Sequence, residues 1–482
     1  MNKDVYIDGQ WHDGAGQAFH NLCPSTGEVV WAGNAASIAQ VKQAIKSAKR
    51  AFGPWARRPQ SERNAVLRAY AASLKIYADA IANAISRDMG KPLWEARLEA
   101  GAMASKVEIS IRALEERAGN LQTEVVFGQT HLIHRPHGVM VVLGPFNFPG
   151  HLPNGHIVPS LLAGNVCVFK PSEHAPSVAA IMAEAFEEAG LPAGCLSVIH
   201  GKRKTGSALL ESDINGLLFT GSADAGLHFH RMFAGRPEIM LALEMGGNNP
   251  LIVWEPCDVE AAANLIFQSA YITSGQRCSC ARRLILPDTP FGDEVIQGVI
   301  NLINKVKIGP YDHDDVFMGP VVNESAAIAV ITFQDTLLKQ GARPLRTSEP
   351  LALGNAFVTP GLIDITGTET RDTEVFGPLL QVKRVNTLED AIESANQTKY
   401  GLAGGLICDN ASVWDEIHQD IHAGIVNWNR PTTGASSALP FGGPGHSGNF
   451  RPGAYYAADY CAWPQASQLS NKAKALPLKG MA

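Results

Sequence analysis

From residue 138 onward, the sequence repeats a pattern in which a short apolar run is followed by a polar turn and a helical segment. Apolar runs of this kind occupy residues 139–143, 166–169 and 216–220. Repeated strand–helix units predict a parallel, doubly wound α/β sheet, since each parallel neighbour is reached through a crossover helix. Polar motifs follow all three runs, at the strand ends where such sheets bind their ligands.

A second αβ series begins near Pro250, so the 482-residue chain is expected to contain two or three domains. Before the first series, residues 1–37 predict hairpin strands and residues 39–117 predict helices. Gly53-Pro54 and Gly90-Lys91-Pro92 are expected to separate those helices. In the second series, helices are predicted at 259–273, 293–305, 325–340, 387–397 and 411–421, and strands at 283–287 and 424–428.

The composition argues against several classes of function. The net charge of −6 gives no reason to expect nucleic acid or an anionic membrane as a partner. No apolar run is long enough to span a bilayer, and the N-terminus shows no signal segment. The eight cysteines have neither the spacing of a disulfide framework nor that of a zinc finger, so no metal site is predicted. They are expected to be free thiols in a reducing compartment, which predicts a cytoplasmic protein.

The stretch 275–283, with the sequence GQRCSCARR, is the first candidate for chemistry. Its Cys278 follows a turn, and the neighbouring arginines are expected to favour the thiolate. Glu244 is a lone carboxylate in an apolar, glycine-flanked segment upstream. A nucleophilic cysteine and a carboxylate that activates water are sufficient to make and hydrolyse a thioester. The simpler alternative is that Cys278 is a small buried apolar residue. Cys280 is interpreted as a neighbour of the nucleophile rather than as a second nucleophile.

Seven motifs together resemble the NAD(P)-dependent aldehyde dehydrogenase superfamily over nearly the full length of the chain. Each motif alone is weak, and the resemblance depends on their order and spacing. They are Phe146-Asn147-Phe148-Pro149, Lys170-Pro171-Ser172-Glu173, Phe219-Thr220-Gly221-Ser222 through Gly226, Leu243-Glu244-Met245-Gly246-Gly247, Gly275-Gln276-Arg277-Cys278, Glu374-Val375-Phe376-Gly377-Pro378 and Pro440-Phe441-Gly442-Gly443.

The resemblance implies two doubly wound αβ domains with a β-arm for oligomerisation. The NAD-binding domain is expected at 1–119 and 138–247, and the catalytic domain with the nucleophile at 248–450. An arm at 120–137 and an aromatic tail at 451–482 are expected to build a homodimer or homotetramer.

The resemblance also implies the catalytic roles. Cys278 matches the nucleophile that adds to the aldehyde carbonyl. Asn147 matches the residue whose side-chain amide, with the Cys278 backbone N–H, holds the developing oxyanion. Glu244 matches the general base that activates the hydrolytic water. The expected reaction is therefore NAD-dependent oxidation of an aldehyde through a thiohemiacetal and a thioester.

For the cofactor, Lys170 and Glu173 match the pair that binds the adenosine ribose. Glu173 would accept from both ribose hydroxyls and repel a 2′-phosphate, so NAD is predicted rather than NADP. Glu374 and Phe376 match the residues that bind and pack the nicotinamide ribose, although Phe376 is alternatively a core residue. The segment expected to bind the pyrophosphate comprises Gly221, Ser222, Ala223, Asp224, Ala225 and Gly226. The alternative is that its glycines only form a turn.

Further stretches, at 149–156, 427–431 and 455–464 among others, narrow the resemblance to one branch of the superfamily. That branch oxidises N-succinyl-L-glutamate 5-semialdehyde to N-succinyl-L-glutamate in the succinyl-transfer route of arginine catabolism. Such an acidic aldehyde requires cations or strong donors in its pocket.

Four side chains are candidates for that task by their position. They are Arg277, Arg430, His151 and His156. Gly155 and the polar Asn154 are expected to leave space and donors for a long acidic chain.

Three other functions remain as alternatives. The first is oxidation of another small acidic semialdehyde, such as that of succinate or glutamate. A CoA-dependent acylating enzyme is disfavoured because Glu244 supplies a hydrolytic base. A non-catalytic scaffold with this fold is disfavoured by the presence of Cys278, Glu244 and Asn147.

Overall fold

The structure, a computed structural model, describes residues 3–475 and 480. Its N-terminal part forms two β-hairpins, as predicted for residues 1–37, of which residues 1 and 2 lie outside the described part. The first hairpin turns at Asp8-Gly9, where φ is 56° and 78°, values typical of a type I′ turn. The strands are β1 (Val5–Ile7), β2 (Gln10–His12), β3 (Ala18–Leu22) and β4 (Val29–Asn34).

Four helices and a third hairpin follow. The predicted break at Gly90-Lys91-Pro92 is confirmed, because Gly90 adopts the left-handed cap conformation with φ of 80°. The predicted break at Gly53-Pro54 is wrong, because the first helix continues through it. Trp55 anchors this last turn by donating from Nε1 to the Leu161 carbonyl oxygen at 3.0 Å. The elements are α1 (Ile38–Ala56), α2 (Gln60–Ile76), α3 (Ala78–Met89), α4 (Leu93–Ala118), β5 (Leu121–Val125) and β6 (Gly128–Pro136).

The first βα series builds a seven-stranded sheet. It comprises β7 (Val139–Leu143), α5 (His151–Ala163), β8 (Val166–Lys170), α6 (Ser177–Glu188), β9 (Leu196–Ile199), α7 (Arg203–Leu210), β10 (Gly216–Thr220), α8 (Ala223–Met232) and β11 (Met240–Glu244). The order is β11-β10-β7-β8-β9-β1-β2, in which β7 to β11 run parallel. Strand order reverses between β7 and β10, which places a ligand crevice at their carboxyl ends.

The second series builds another seven-stranded sheet. It comprises β12 (Asn249–Val253), α9 (Val259–Tyr271), β13 (Ala281–Pro287), α10 (Pro290–Lys305), α11 (Glu324–Lys339), β14 (Arg343–Arg346), β15 (Gly361–Asp364), β16 (Leu379–Val385), α12 (Leu388–Asn396), β17 (Ala403–Ile407), α13 (Ala411–Asp420) and β18 (Ile425–Trp428). The order is β14-β15-β16-β13-β12-β17-β18, with β14 antiparallel to β15 and the other neighbours parallel. The two sheets confirm the predicted α/β class.

The C-terminal segment contributes a two-stranded sheet, β19-β20, and the outer strand β21 of a three-stranded sheet. Its elements are β19 (Pro440–Phe441), β20 (Gly453–Ala454), α14 (Ala457–Tyr460) and β21 (Ala462–Leu469). β21 pairs antiparallel with β6 from Ala462↔Pro136 to Leu469↔Gln129, and β6 pairs with β5. The part of the predicted tail at 476–482 lies outside the described residues, apart from residue 480. Among the described residues, none of the helices has the length and apolar character that a bilayer crossing requires.

Removal of residues 454–482 is expected to unfold the protein or lower its melting temperature strongly. The truncation deletes β21, which opens the edge of β6, and it removes the buried Tyr460 ring. Removal of residues 470–482 keeps β21 and is the matched control. Thermal unfolding followed by circular dichroism measures the effect, and equal melting temperatures for both truncations would contradict it.

Candidate active site

Two loops from the two sheets meet around one cavity. One loop follows β7 and carries Asn147. Glu244 ends β11, so both residues lie at the carboxyl-terminal edge of the first sheet. The other, the nucleophile loop (residues 272–280), connects α9 with β13 and carries Cys278. Cys278 and Glu244 line a cavity of about 370 Å³, hereafter the cysteine cavity. The structure therefore brings the predicted nucleophile and the predicted base together.

The backbone of the nucleophile loop is strained just before Cys278. Thr273, Ser274 and Gly275 have consecutive positive φ values of 56°, 55° and 70°. The first two are costly for residues that carry a Cβ. Gly275 is required because a Cβ at this position would lie 2.2 Å from the Gly377 carbonyl oxygen. Such a backbone persists only where surrounding contacts impose it.

Side chains from three elements impose this conformation. The buried guanidinium of Arg282, on β13, donates to two carbonyl oxygens of the loop at 2.6 and 3.0 Å. The amide of Asn249, on β12, donates to the carbonyl oxygens of Cys278 and Cys280 at 2.7 and 2.8 Å. Glu95, on α4, accepts hydrogen bonds from the Thr273 hydroxyl and from the guanidinium of Arg277. The position of the nucleophile is thus set from the second sheet and from α4.

The arginines around Cys278 do not favour its thiolate, so that prediction is wrong. Arg282 and Arg283 donate to backbone carbonyl oxygens, and Arg277 is ion-paired with a carboxylate of α4. Burial and, secondarily, two neighbouring carboxylates raise the pKa of Cys278 to about 12. The resting nucleophile is therefore a thiol, and a base must remove its proton.

Asn147 is held beside the nucleophile loop through both its side chain and its backbone. Its Nδ2 donates to the Gln276 carbonyl oxygen at 2.9 Å. Lys91 Nζ donates to the Asn147 carbonyl oxygen at 2.8 Å and forms a fully buried ion pair with Glu99 at 2.7 Å. Glu99 in turn accepts from two backbone N–H groups at the start of α5, at 3.0 and 3.1 Å. The oxyanion candidate therefore depends on α4 as well as on its own strand.

The carboxyl group of Glu244 is buried and has few partners. Thr220 Oγ1 donates to its Oε2 at 3.5 Å. A Cβ at Gly453 would lie 1.7 Å from Oε1, so only glycine fits there. Burial raises the pKa of Glu244 to about 7, against the lowering effects of the Lys106 ammonium and the Thr220 hydroxyl. A carboxyl group with a pKa near neutrality is suited to general acid–base catalysis.

The four predicted substrate-binding side chains do not share one location. His151, His156 and Arg277 line the cysteine cavity. Arg430 is exposed and is not among the residues that line this cavity, so the structure does not bring it together with the other three. The reason is the turn after β18, where Asn429 has φ of 51° and its amide donates to the Cys408 carbonyl oxygen.

The two histidines are neutral in this environment. Burial lowers the pKa of His151 to about 4 and that of His156 to about 3. Both ring nitrogens of His156 have partners, because Nδ1 lies 3.0 Å from the Tyr460 hydroxyl and Nε2 lies 3.1 Å from Thr220 Oγ1. His151 Nδ1 has no partner among the described residues. Neither histidine therefore offers positive charge to an anion.

The prediction for the start of α5 is half met. Gly155 lines the cysteine cavity. Asn154 is fully buried elsewhere, where its amide donates to the Met103 carbonyl oxygen and accepts from the Tyr70 hydroxyl, each at 3.0 Å. Because Asn154 is fully buried and does not line the cysteine cavity, it offers no donor to a ligand there, and that expectation is wrong.

Lys106 on α4 lines the cysteine cavity and was not predicted. Charged residues recur on one side of this helix at Glu95, Glu99 and Lys106, within an alanine-rich sequence. Helical spacing of charges next to buried small residues was the available signal. Sequence alone does not show which of these charges find partners inside the fold.

The predicted ribose pair lies at the end of β8. Lys170 Nζ donates to the carbonyl oxygens of Pro171 and Gly201, each at 2.8 Å, and lies 3.5 Å from Glu173 Oε2. Burial acts to raise the pKa of Glu173, but the Lys170 ammonium and hydrogen bonds outweigh it and hold the pKa below its usual value. Glu173 is therefore an ionised, partly exposed acceptor.

The predicted pyrophosphate segment forms the start of α8. Ser222 is the N-cap, and its Oγ accepts from the Ala225 N–H at 3.4 Å. Ala223 and Asp224 form the first turn, whose N–H groups have no partner within the helix.

Both glycines of that segment serve close packing, since neither has positive φ. A Cβ at Gly221 would lie 2.5 Å from the Phe219 ring. A Cβ at Gly226 would lie 2.2 Å from the sulfur of Met245. The alternative that they only form a turn is therefore not supported.

Glu374 and Phe376 lie beside the nucleophile loop. Glu374 Oε1 is 3.9 Å from the Arg282 guanidinium and has no hydrogen-bond partner among the described residues. Burial raises the pKa of Glu374 to about 7, and a Cβ at Gly246 would lie 1.7 Å from its Oε2. Phe376 meets Phe146 edge to face at 5.8 Å.

Comparison with known proteins identifies the family. A model described as the aldehyde dehydrogenase family matches residues 11–464. The chain belongs to the aldehyde dehydrogenase family. It is 52% identical to a protein of Caulobacter sp. (strain K31) named N-succinylglutamate 5-semialdehyde dehydrogenase, across 97% of this chain and 96% of that protein. A protein of Paraburkholderia xenovorans (strain LB400) with the same name is 50% identical, across 96% of each chain. The predicted resemblance is thereby confirmed.

Solved structures of several dehydrogenases share the fold. The Mycobacterium tuberculosis aldehyde dehydrogenase complexed with NAD+ has a TM-score of 0.92 and 28% identity, across 98% of this chain and 99% of that chain. The NADP-dependent glyceraldehyde-3-phosphate dehydrogenase of Bacillus halodurans C-125, complexed with NADP, has a TM-score of 0.90 and 27% identity over the same shares. The predicted fold is confirmed, and the protein is an aldehyde-oxidising oxidoreductase.

Proposed function

We propose that this aldehyde dehydrogenase oxidises N-succinyl-L-glutamate 5-semialdehyde to N-succinyl-L-glutamate with NAD, as a step of arginine catabolism. The observation that carries the reaction type is the cysteine cavity, where a thiol from one sheet and a carboxyl group from the other face the same space. The substrate is supported by relatives at 50–52% identity that carry this activity in their names.

Addition to the aldehyde begins with removal of the thiol proton. Glu244 lines the same cavity as Cys278 and is the proposed acceptor of that proton. Proton transfer accompanies formation of the bond between Sγ and the aldehyde carbon, so free thiolate need not accumulate. Asn147 donates one Nδ2 hydrogen to Gln276, and its second hydrogen and the Cys278 N–H are the proposed donors to the oxyanion.

The cofactor-binding candidates fit NAD. Glu173 offers a carboxylate to the adenosine ribose, and the first turn of α8 offers N–H groups to the pyrophosphate. Glu374 Oε1, which has no hydrogen-bond partner among the described residues, suits a hydroxyl of the nicotinamide ribose, because that group is a donor. When bound, NAD supplies the acceptor for the hydride that leaves the carbon attached to Cys278.

Hydrolysis of the resulting thioester completes the reaction. Glu244 first returns its proton to solvent and then accepts one from the attacking water. The water oxygen bonds to the thioester carbon, the carbon–sulfur bond breaks, and Cys278 leaves as a thiolate that regains a proton. One carboxyl group with a pKa of about 7 thus serves both half-reactions.

The proposed function is tested by NADH absorbance with a panel of aldehydes. N-succinylglutamate semialdehyde is expected to give a higher kcat/KM than glutamate semialdehyde, succinate semialdehyde or propanal. Cys278→Ser is expected to abolish oxidation while NAD binding persists, because a hydroxyl group is a far weaker nucleophile than a thiolate. A higher kcat/KM for another semialdehyde would identify that compound as the substrate instead. Turnover by C278S would exclude the thioester route.

The burst of NADH in the wild-type enzyme is expected to accelerate as the pH rises through about 7 and then level off, because Glu244 becomes a base on losing its proton. In Glu244→Gln, the burst should be slow at pH 7 and should rise about tenfold per pH unit as the thiol itself ionises. Stopped-flow absorbance measures both profiles. A fast, full burst in E244Q at pH 7 would restrict Glu244 to the hydrolysis step.

Glu173→Gln is expected to narrow the preference for NAD over NADP, mainly by raising kcat/KM for NADP. The physical reason is that the neutral amide does not repel a 2′-phosphate. Glu211→Gln, at the exposed end of α7, removes an equal charge as the control. Steady-state kinetics with both cofactors give the ratio, and an unchanged ratio in E173Q would place discrimination elsewhere.

We further propose that the chain forms a homodimer or homotetramer through the β21-β6-β5 sheet and is cytoplasmic. In support, β5 and β21 are the outer strands of this sheet, and Leu121, Val126 and Phe127 are exposed. Open strand edges and exposed apolar side chains favour association. All eight cysteines are free, which fits a reducing compartment. Sedimentation of the full chain measures the assembly.

A further inference from the structure

One buried cation in the cysteine cavity has no hydrogen-bond partner among the residues that the structure describes. Lys106 is 1% exposed, yet its Nζ forms no hydrogen bond within the described residues. Its side chain lines the cavity together with Cys278 and Glu244. Burying an ammonium group without a partner carries a large desolvation cost. Such a group is understandable where a ligand supplies the missing anion.

Three of the other charged groups around the cavity, Arg277, Glu95 and Glu99, already have ion-pair partners. Arg277 is ion-paired with Glu95 at 2.6 Å, and Glu99 is ion-paired with Lys91 at 2.7 Å. The two histidines of the cavity are neutral, since burial lowers their pKa values to about 4 and about 3. Among the cavity-lining residues that the structure describes, Lys106 is therefore the cation available to an incoming anion.

The space beside Lys106 is kept open by a glycine. A Cβ at Gly155, on α5, would lie 3.9 Å from Lys106 Cε and would meet nothing else within 4 Å. Glycine in a helix interior is destabilising relative to alanine, and this one lines the cavity. A larger side chain at Gly155 would occupy the space next to the ammonium group.

We propose that the Lys106 ammonium group binds a carboxylate of the substrate and thereby selects acidic aldehydes over neutral ones. This inference rests on the proposed function and adds to it the residue that recognises the charge of the substrate. The proposed substrate carries two carboxylates. A charge-assisted hydrogen bond in a buried cavity is stronger than in water, because the local dielectric is lower.

Lys106 also acts on Glu244. Its positive charge lowers the pKa of that carboxyl group and so partly offsets the increase caused by burial. If this were its whole function, loss of Lys106 would slow all aldehydes alike and shift the pH profile of the burst. Carboxylate recognition instead raises KM selectively for aldehydes that carry a carboxylate. The two roles therefore differ in the kinetic parameter that changes.

The test compares Lys106→Met with the wild-type enzyme. KM for N-succinylglutamate semialdehyde and for succinate semialdehyde is expected to rise about 10- to 100-fold, the range for losing a charge-assisted hydrogen bond. KM for propanal should change far less. Lys106→Arg keeps the charge and is expected to recover part of the affinity. Lys75→Met, at the exposed end of α2, is the matched control for charge removal.

Two readouts separate this role from a structural one. Lys106→Met is expected to raise the melting temperature, because it removes a buried, unpaired charge. A structural lysine would instead lower it on removal. Isothermal titration calorimetry with N-succinylglutamate, the product, should show weaker binding to K106M by the same factor as the change in KM.

Equal KM changes for acidic and neutral aldehydes, or unchanged affinity for N-succinylglutamate, would overturn the assignment of Lys106. If the wild-type enzyme prefers succinate semialdehyde and K106M loses that preference, the assignment stands and the proposed substrate is wrong. A wild-type enzyme without any preference for acidic aldehydes overturns both proposals.

Discussion

The fully buried ion pair between Lys91 and Glu99 links the start of α4 to the loop that carries Asn147 and to the start of α5. Lys91 holds the carbonyl oxygen of Asn147, and Glu99 accepts from the first N–H groups of α5. Removing either partner would leave a buried charge uncompensated, which typically costs about 3–5 kcal/mol. The loop that presents Asn147 would then lose its position, although neither member of the pair is proposed to touch the substrate.

This pair belongs to a larger role of α4. Glu95, Glu99 and Lys106 lie on the side of the helix that faces the cysteine cavity. Glu95 braces the nucleophile loop and Glu99 fixes the start of α5, whereas Lys106 has no hydrogen-bond partner in the described part of the chain. One helix therefore sets the relation between loops that come from two different sheets. It also contributes the cation that those loops do not neutralise.

Burial shifts the pKa values of three groups in the cavity toward their neutral forms. It raises the pKa of Cys278 to about 12 and that of Glu244 to about 7, and it lowers that of Lys106 to about 8. The cause is shared, because a poorly solvated space disfavours every isolated charge. In the resting site, Cys278 therefore keeps its proton, while Glu244 is close to half-ionised at neutral pH. This combination suits proton transfer within the cavity.

Local signals in the sequence determined the α/β class and the reactive groups. Apolar runs that end in polar turns marked the strand ends near Asn147 and Lys170, and the stretch 275–283 marked the turn that carries Cys278. The failure at Gly53-Pro54 has a non-local cause, since the packing of Trp55 on α5 decides whether the last helical turn persists. Only the tertiary structure decided which charges are paired and which, like Lys106, find no hydrogen-bond partner among residues 3–475. Pairing depends on contacts between residues far apart in the chain, and no local pattern records them.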